Sequence, residues 1–339
     1  MKSKTKLIIG LIILVVNFSI LMIATYYLTL PEINITAPDD DGEWVVTSPI
    51  SIDGDGINNW AWAASQGWCN GSGTWNDPYI IENLDIDGTG YDACIRIRDS
   101  NAYFLIQNCL LYSARYAGIY LTNVSQGWIQ NNTITQSTTY YNSAGIMLEH
   151  CDNNWIVGNK LFSNNFGIYF MYCGFHNITE NFFSGNIVLG LNISYSFSII
   201  IHGNTIDNTG GAAIWQLRTN FSIFYGNQLS YNDWEGIVII SSYHTQISRN
   251  IITYNTYFGL VIHTSCGQNR IFENEFIENG INAVDDGTNN QWELNNVGNY
   301  WADYSGFDAD DNGIGDTPYN ITGSAGSQDN FPIWDDGPG

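Results

Sequence analysis

Basic side chains are scarce in this 339-residue chain: 10 lysines and arginines stand against 33 aspartates and glutamates. Three of the ten, Lys2, Lys4 and Lys6, precede an apolar run from Leu7 to Leu30, so only seven serve everything after it. That balance excludes a nucleic-acid partner, because phosphate binding needs clustered lysine and arginine. Divalent cations and basic partners remain compatible, as does a merely solvated acidic exterior. The five histidines are scattered over His150, His176, His202, His244 and His263, and there are only four methionines, too few for a histidine- or methionine-rich metal centre. No repeat unit beyond the apolar run shows helical periodicity, which excludes helix bundles and α/β layers.

The apolar run is long enough to cross a bilayer. The lysines ahead of it hold the N-terminus inside and send the remainder across. Residues 1–30 are therefore expected to be a transmembrane signal anchor, with a cleaved signal peptide as the alternative, and 31–43 a linker. The protein is then placed on the extracellular face of the membrane or secreted. Its six cysteines would lie in a compartment that permits disulfides. Eight Asn-x-Ser/Thr sequons follow the anchor, from Asn34 to Asn320, and permit glycosylation where the host performs it.

From about residue 94 to 285 one unit is written eight times. Its marker asparagine stands at Asn108, Asn132, Asn159, Asn181, Asn204, Asn227, Asn250 and Asn274. An apolar residue stands three before each and another two after it. A second marker is a small residue followed by alternating apolar ones, as in Gly145-Ile146-Met147-Leu148 and Gly236-Ile237-Val238-Ile239. Period two means strand. A unit of about 23 residues cannot close a core alone but can when coiled on its copies. The expected fold is all-β, a right-handed parallel β-helix in which like residues stack into ladders. The asparagines read as a structural ladder rather than a site. Gln216 interrupts the apolar alternation, and a one-residue bulge is expected there. The run from Gly to the next Asn is nearly constant, while the run from Asn to the next Gly varies, so insertions should leave one side only.

The repeat, the segment Gly71-Ser-Gly-Thr-Trp-Asn-Asp-Pro-Tyr-Ile-Ile81 before it and Gly298-Asn-Tyr-Trp-Ala-Asp-Tyr304 after it resemble the NosD-like family of exported prokaryotic β-helix proteins. The likeness runs from about Trp44 to Trp334. It implies the β-helix and, by way of the founding members, a link to copper-site maturation of nitrous oxide reductase. In that frame 44–93 supply the N-terminal cap and first turns, 94–285 the repeats, and 286–339 the C-terminal cap.

Four constellations could carry chemistry. Asp308, Asp310, Asn312 and Asp316 follow the opening of a calcium loop, with glycine at its sixth position, although Tyr319 replaces the closing glutamate. A structural calcium ion is expected there, against an ordinary Asx-turn loop. Cys151 and Cys173 occupy the same position on successive turns, which makes them a candidate disulfide. With His150 and His176 they are also a candidate copper(I) set. Aromatic residues on outward or variable positions, Tyr120, Tyr169, Trp215, Tyr231, Trp234 and Tyr257, suit the apolar faces of sugars. Asp207, Asp233 and Glu235 on that side are the candidate catalytic carboxylates, though nothing in their spacing forces them into a pair. The favoured reading is a non-catalytic surface β-helix that binds polysaccharide or glycoprotein glycans. A glycoside hydrolase or polysaccharide lyase on the same fold is the alternative, and a copper-handling protein the third reading.

Overall fold

A computed structural model describes residues 45–334. The expected anchor and linker lie outside the described residues, and among those described no helix is long and apolar enough to cross a membrane. The chain winds into a parallel β-solenoid with three sheets, here called I, II and III in the order one turn visits them. One turn comprises Gly127–Gln130 in sheet I, Thr133–Thr135 in sheet II and Ala144–Glu149 in sheet III. The next turn repeats the order with Trp155–Val157, Lys160–Phe162 and Phe166–Met171.

Like lies on like, because the ladders are in register. In sheet I Ile129, Ile156, Ile178, Ile201, Phe224, Ile247 and Ile271 pair in sequence. In sheet II Ile134, Leu161, Phe183, Ile206, Leu229, Ile252 and Phe276 do the same and end on Trp301. All are essentially shielded from solvent. Each buried aliphatic side chain contributes about 1.5 to 3 kcal/mol against the chain entropy of so many short strands.

The asparagine column is a hydrogen-bond ladder. Asn204 is typical: its backbone N–H and its Nδ2 both donate to Asn227 Oδ1, at 2.9 and 3.0 Å, and Nδ2 also donates to Ile178 O at 2.8 Å. Its own Oδ1 receives the same pair of bonds from Asn181. The ladder runs beyond the eight markers to Asn299, whose N–H and Nδ2 donate to Asp329 Oδ2 at 2.7 and 3.2 Å. A second ladder, unexpected from the spacing, lines the turn between sheets II and III through Asn164 and Asn186 and, further on, Asn232, Asn255 and Asn279.

Two details of register differ from expectation. Ile129 pairs with Ile106, not Leu105, so the ladder position in the first turn belongs to Cys109, whose N–H donates to Asn132 Oδ1 at 2.9 Å. Asn108 instead takes the left-handed conformation, φ 53°, as Asn131 does beside Asn132. Gln216 needs no bulge, because it pairs in register with Ile193 and Ile239 and points inward. Its Nε2 donates to Thr219 O and Thr245 Oγ1 at 2.7 and 2.8 Å, which makes a polar side chain tolerable there.

Aromatic residues close both ends. At the start a five-residue helix, Trp60–Ala64, is capped by the Asn59 side chain, and Trp60 stacks on Tyr79 with centroids 4.7 Å apart. At the finish Trp301 is sandwiched between Phe276 and Tyr319, at 4.5 and 4.1 Å. Stacked rings cover the apolar columns that a bare end would expose.

Replacing Asn204 by Ala leaves buried donors and acceptors of two neighbouring rungs unpaired and is expected to cost about 3 kcal/mol or more. Asn108→Gly, at a left-handed position outside the ladder, is expected to change stability by less than about 0.5 kcal/mol. Denaturant unfolding of the two variants checks the assignment.

Candidate outer-face site

Alternation along the strands of sheet III sends every second residue outward, and register stacks those residues into a column. One such column reads Ser51, Arg96, Tyr120, Met147, Tyr169, Asn192, Trp215 and Val238. Rungs lie about 4.8 Å apart, so Tyr120, Tyr169 and Trp215, on every second rung, recur at roughly 10 Å. The three rings are half-buried, set in an outer apolar cluster that includes Ala117, Ala144, Phe166, Leu189 and Ala212. Phe166 meets Tyr169 edge-on at 5.3 Å. The Tyr120 hydroxyl donates to Glu149 Oε2 at 2.5 Å. Burial and that carboxylate push the phenol up to about 12. Burial likewise raises Tyr169, so both hydroxyls stay protonated donors at neutral pH. The column thus offers fixed, partly exposed ring surface flanked by polar groups.

Tyr231, Trp234 and Tyr257 are more exposed and stand apart from the column, on the turn between sheets II and III. Tyr231 stacks on Tyr254 at 5.0 Å and 4°. Trp234 and Tyr257 are equivalent on adjacent rungs, Tyr257 N–H donating to Trp234 O at 3.0 Å. This edge continues beyond Trp215, whose strand pairs with the one that follows Trp234.

The three candidate carboxylates occupy three different surfaces. Asp207 is on sheet II, paired with Ser184 and Ser230, and accepts a bond from Asn208 Nδ2. Asp233 is exposed on the turn. Glu235 opens a sheet III strand opposite Phe258, and its Oε2 is buried with no hydrogen-bond partner among the described residues. Burial raises its pKa above the ordinary 4.5.

Cys151 and Cys173 do fall on one ladder, which continues through Ser196, Thr219 and Ser242. Both are buried free thiols rather than a cystine. Cys151 Sγ donates to Glu149 O at 3.2 Å and Cys173 Sγ to Leu148 O and Met171 O at 3.4 Å. Burial, then the neighbouring thiol, pushes Cys151 up. Burial opposes ionisation of Cys173 too, but hydrogen bonds from Cys151 and His176 outweigh it and draw that thiol down. His176 is buried, with Nδ1 3.0 Å from Asn154 N and Nε2 3.0 Å from Cys151 O. His150 is exposed, stacked on Tyr172 at 5.0 Å. His150 thus stands apart from the other three, whose sulfurs and ring nitrogens are engaged by hydrogen bonds within the core.

In the acidic loop Asp308 accepts from Asn312 N and Gly313 N at 3.2 and 2.7 Å, Asn312 Oδ1 from Ile314 N, and Asp316 from Ala309 N. These oxygens close the loop on its own amides, the Asx-turn geometry. No group of three or more His, Cys, Asp or Glu among the described residues is placed to hold a metal.

Spacing did not single out a further aromatic surface on the corner between sheets III and I. Tyr172, Phe175, Tyr195, Phe197, Phe221 and Tyr243 are all exposed there. Tyr172, Phe175, Tyr195 and Phe221 have φ between 53° and 59°, a conformation unusual for bulky residues. The 23-residue interval from Tyr172 to Tyr195 to Arg218 was the available signal.

A family model described as periplasmic copper-binding protein (NosD) matches residues 45–165 and 138–306. The probable ABC transporter binding protein NosD of Pseudomonas aeruginosa is 29% identical over 142 residues, which are 37% of this chain and 32% of that relative. The match thus spans about a third of the relative's length. Among solved structures, a double mutant of the periplasmic alginate epimerase AlgG aligns with TM-score 0.46 and 16% identity over 75% of this chain and 69% of that one. The A-module of mannuronan C-5 epimerase AlgE6 from Azotobacter vinelandii gives 0.44 and 14% over 73% and 71%.

Because folded Glu235 keeps its proton to higher pH than the unfolded chain, stability falls as pH rises from 4.5 through its folded pKa. Glu235→Gln is expected to melt higher than the parent at pH 7, with the two curves converging below pH 4.5; thermal unfolding against pH reads the difference.

Proposed function

The chain belongs to the NosD family, matched over residues 45–306, and from that premise we propose an extracytoplasmic β-solenoid that binds polysaccharide along the outer face of sheet III. The observation that carries this reading is the recurrence of Tyr120, Tyr169 and Trp215 on alternate rungs of one column. A rung is close to the length of one pyranose in an extended glycan. A chain lying parallel to the solenoid axis would therefore set every second sugar over a ring. Met147 and Asn192 occupy the intervening rungs, one apolar and one able to bond a hydroxyl. Aromatic surface held in place by packing loses little entropy on binding. Trp234 and Tyr257 lie to one side of this track, on the turns that lead into the strands following that of Trp215.

The copper in the family's description does not fit the residues present. His176 has both ring nitrogens engaged by backbone, the two thiols point into the core, and His150 faces solvent. A second reading, hydrolysis, is favoured by the unpartnered, half-buried Glu235. A glycosidase needs a second carboxylate within about 5 to 9.5 Å, and Asp207 stands on another sheet.

Binding of the protein to a polysaccharide array is expected to weaken about fivefold with either Tyr169→Ala or Trp215→Ala, the loss of ~1 kcal/mol of ring contact. Equal binding by both variants and the parent would sink the track. Release of reducing ends that Glu235→Gln abolishes would establish the second reading instead.

A further inference from the structure

One rung before the first ring of the column stands a cation. Arg96 shares it with Tyr120, and its guanidinium carbon lies 5.1 Å from that ring's centroid. Two residues along the same strand and on the same face, Arg98 is already committed to Asp53 at 2.5 Å. Arg96 has no ion pair or hydrogen bond among the described residues, and its Nε is buried and unpartnered. Thr122, paired with Arg98 on the next rung, also has a buried hydroxyl without a partner. The two guanidinium groups line a cavity of about 350 Å³ with Ser51, Asp53, Ile57 and Asn58. In a chain of net charge −23, an uncompensated arginine beside a cavity is a feature in need of an anion.

We propose that this cavity is an oxyanion subsite, which takes the carboxylate of a uronic acid or a sulfate ester on the bound sugar chain. The proposal rests on the track reading above and names its substrate class as acidic polysaccharide. Arg96 is the primary cation, because Asp53 neutralises Arg98. Its planar fork suits a carboxylate or sulfate better than a point charge would. Tyr120 beneath it joins the subsite to the first ring of the track. A sugar on that ring thus has its acidic substituent directed at Arg96, and neutral sugars continue over Tyr169 and Trp215. The acidic exterior repels anionic polymers at long range, so recognition depends on this one local match and weakens as salt screens it.

The test is calorimetric titration of the whole protein with a galacturonate hexamer, its carboxyl-reduced neutral counterpart and a sulfated neutral hexamer. The unsubstituted protein should prefer an acidic hexamer to the neutral one. Arg96→Gln should remove that preference, a fall of about tenfold in the ratio of acidic to neutral binding for a charge-assisted pair. Arg96→Lys keeps the charge and the stem over Tyr120 and should retain part of the preference, which guards against a folding defect in the first variant. Whichever acidic hexamer responds identifies carboxylate or sulfate as the group. Equal binding of all three hexamers, still sensitive to Trp215→Ala, overturns the subsite and leaves the track standing. If no hexamer binds, the track fails, and free glucuronate and inorganic sulfate then decide the subsite alone. Arg96-dependent shifts of the side-chain NMR signals support it, and their absence overturns it.

Discussion

Everything in this molecule depends on successive windings lying in register, because a side chain at any position then meets its counterpart one rung up and one rung down. Inside, this turns scattered isoleucines, leucines and phenylalanines into continuous columns. At the corners it turns asparagine amides into hydrogen-bonded ladders, where each Oδ1 takes two donors and each Nδ2 reaches both the next amide and a carbonyl one rung back. Buried amides without such partners would cost several kcal/mol apiece. The same repetition organises the outside: a ring on alternate rungs becomes a regular array, and an arginine at the head of that array becomes its terminus.

Much of this architecture was legible as period. The interior columns of the later turns follow from counting alone. The first turn was misread because asparagine serves two geometries one residue apart, a left-handed bend and an inward amide, as Asn131 and Asn132 show together. Where Cys109 takes the inward place, residue identity points to the wrong member of the pair. Gln216 deceived in the opposite sense: its amide finds Thr219 and Thr245, partners that lie 3 and 29 residues away, so a break in hydrophobicity was no break in register. The alignment of Cys151 with Cys173 was legible from their equal distance after Gly145 and Gly167, and the structure holds the pair as neighbouring buried thiols.

The candidate site was legible in kind more than in arrangement. Alternation identified Tyr120, Tyr169 and Trp215 as outward, but only register shows that they share one column and that Arg96 stands one rung before them. Asp207, Asp233 and Glu235 sit close in sequence, yet the chain turns between sheets there and separates them. The corner aromatics escaped notice because their turn barely varies in length, and constancy of length suggests architecture rather than contact.

The asparagine ladder also has a direction. Amide-to-amide bonds all point toward the C-terminal end, so the last of them, from Asn299, needs an acceptor that asks for nothing in return, and Asp329 is one, taking Trp301 Nε1 at 3.0 Å as well. At the opposite end Cys109 offers no side-chain carbonyl for a preceding rung to use. Solenoids invite fibre growth by their open geometry; at this finishing end the run of amides is brought to a stop by one carboxylate, behind the rings that cover the columns.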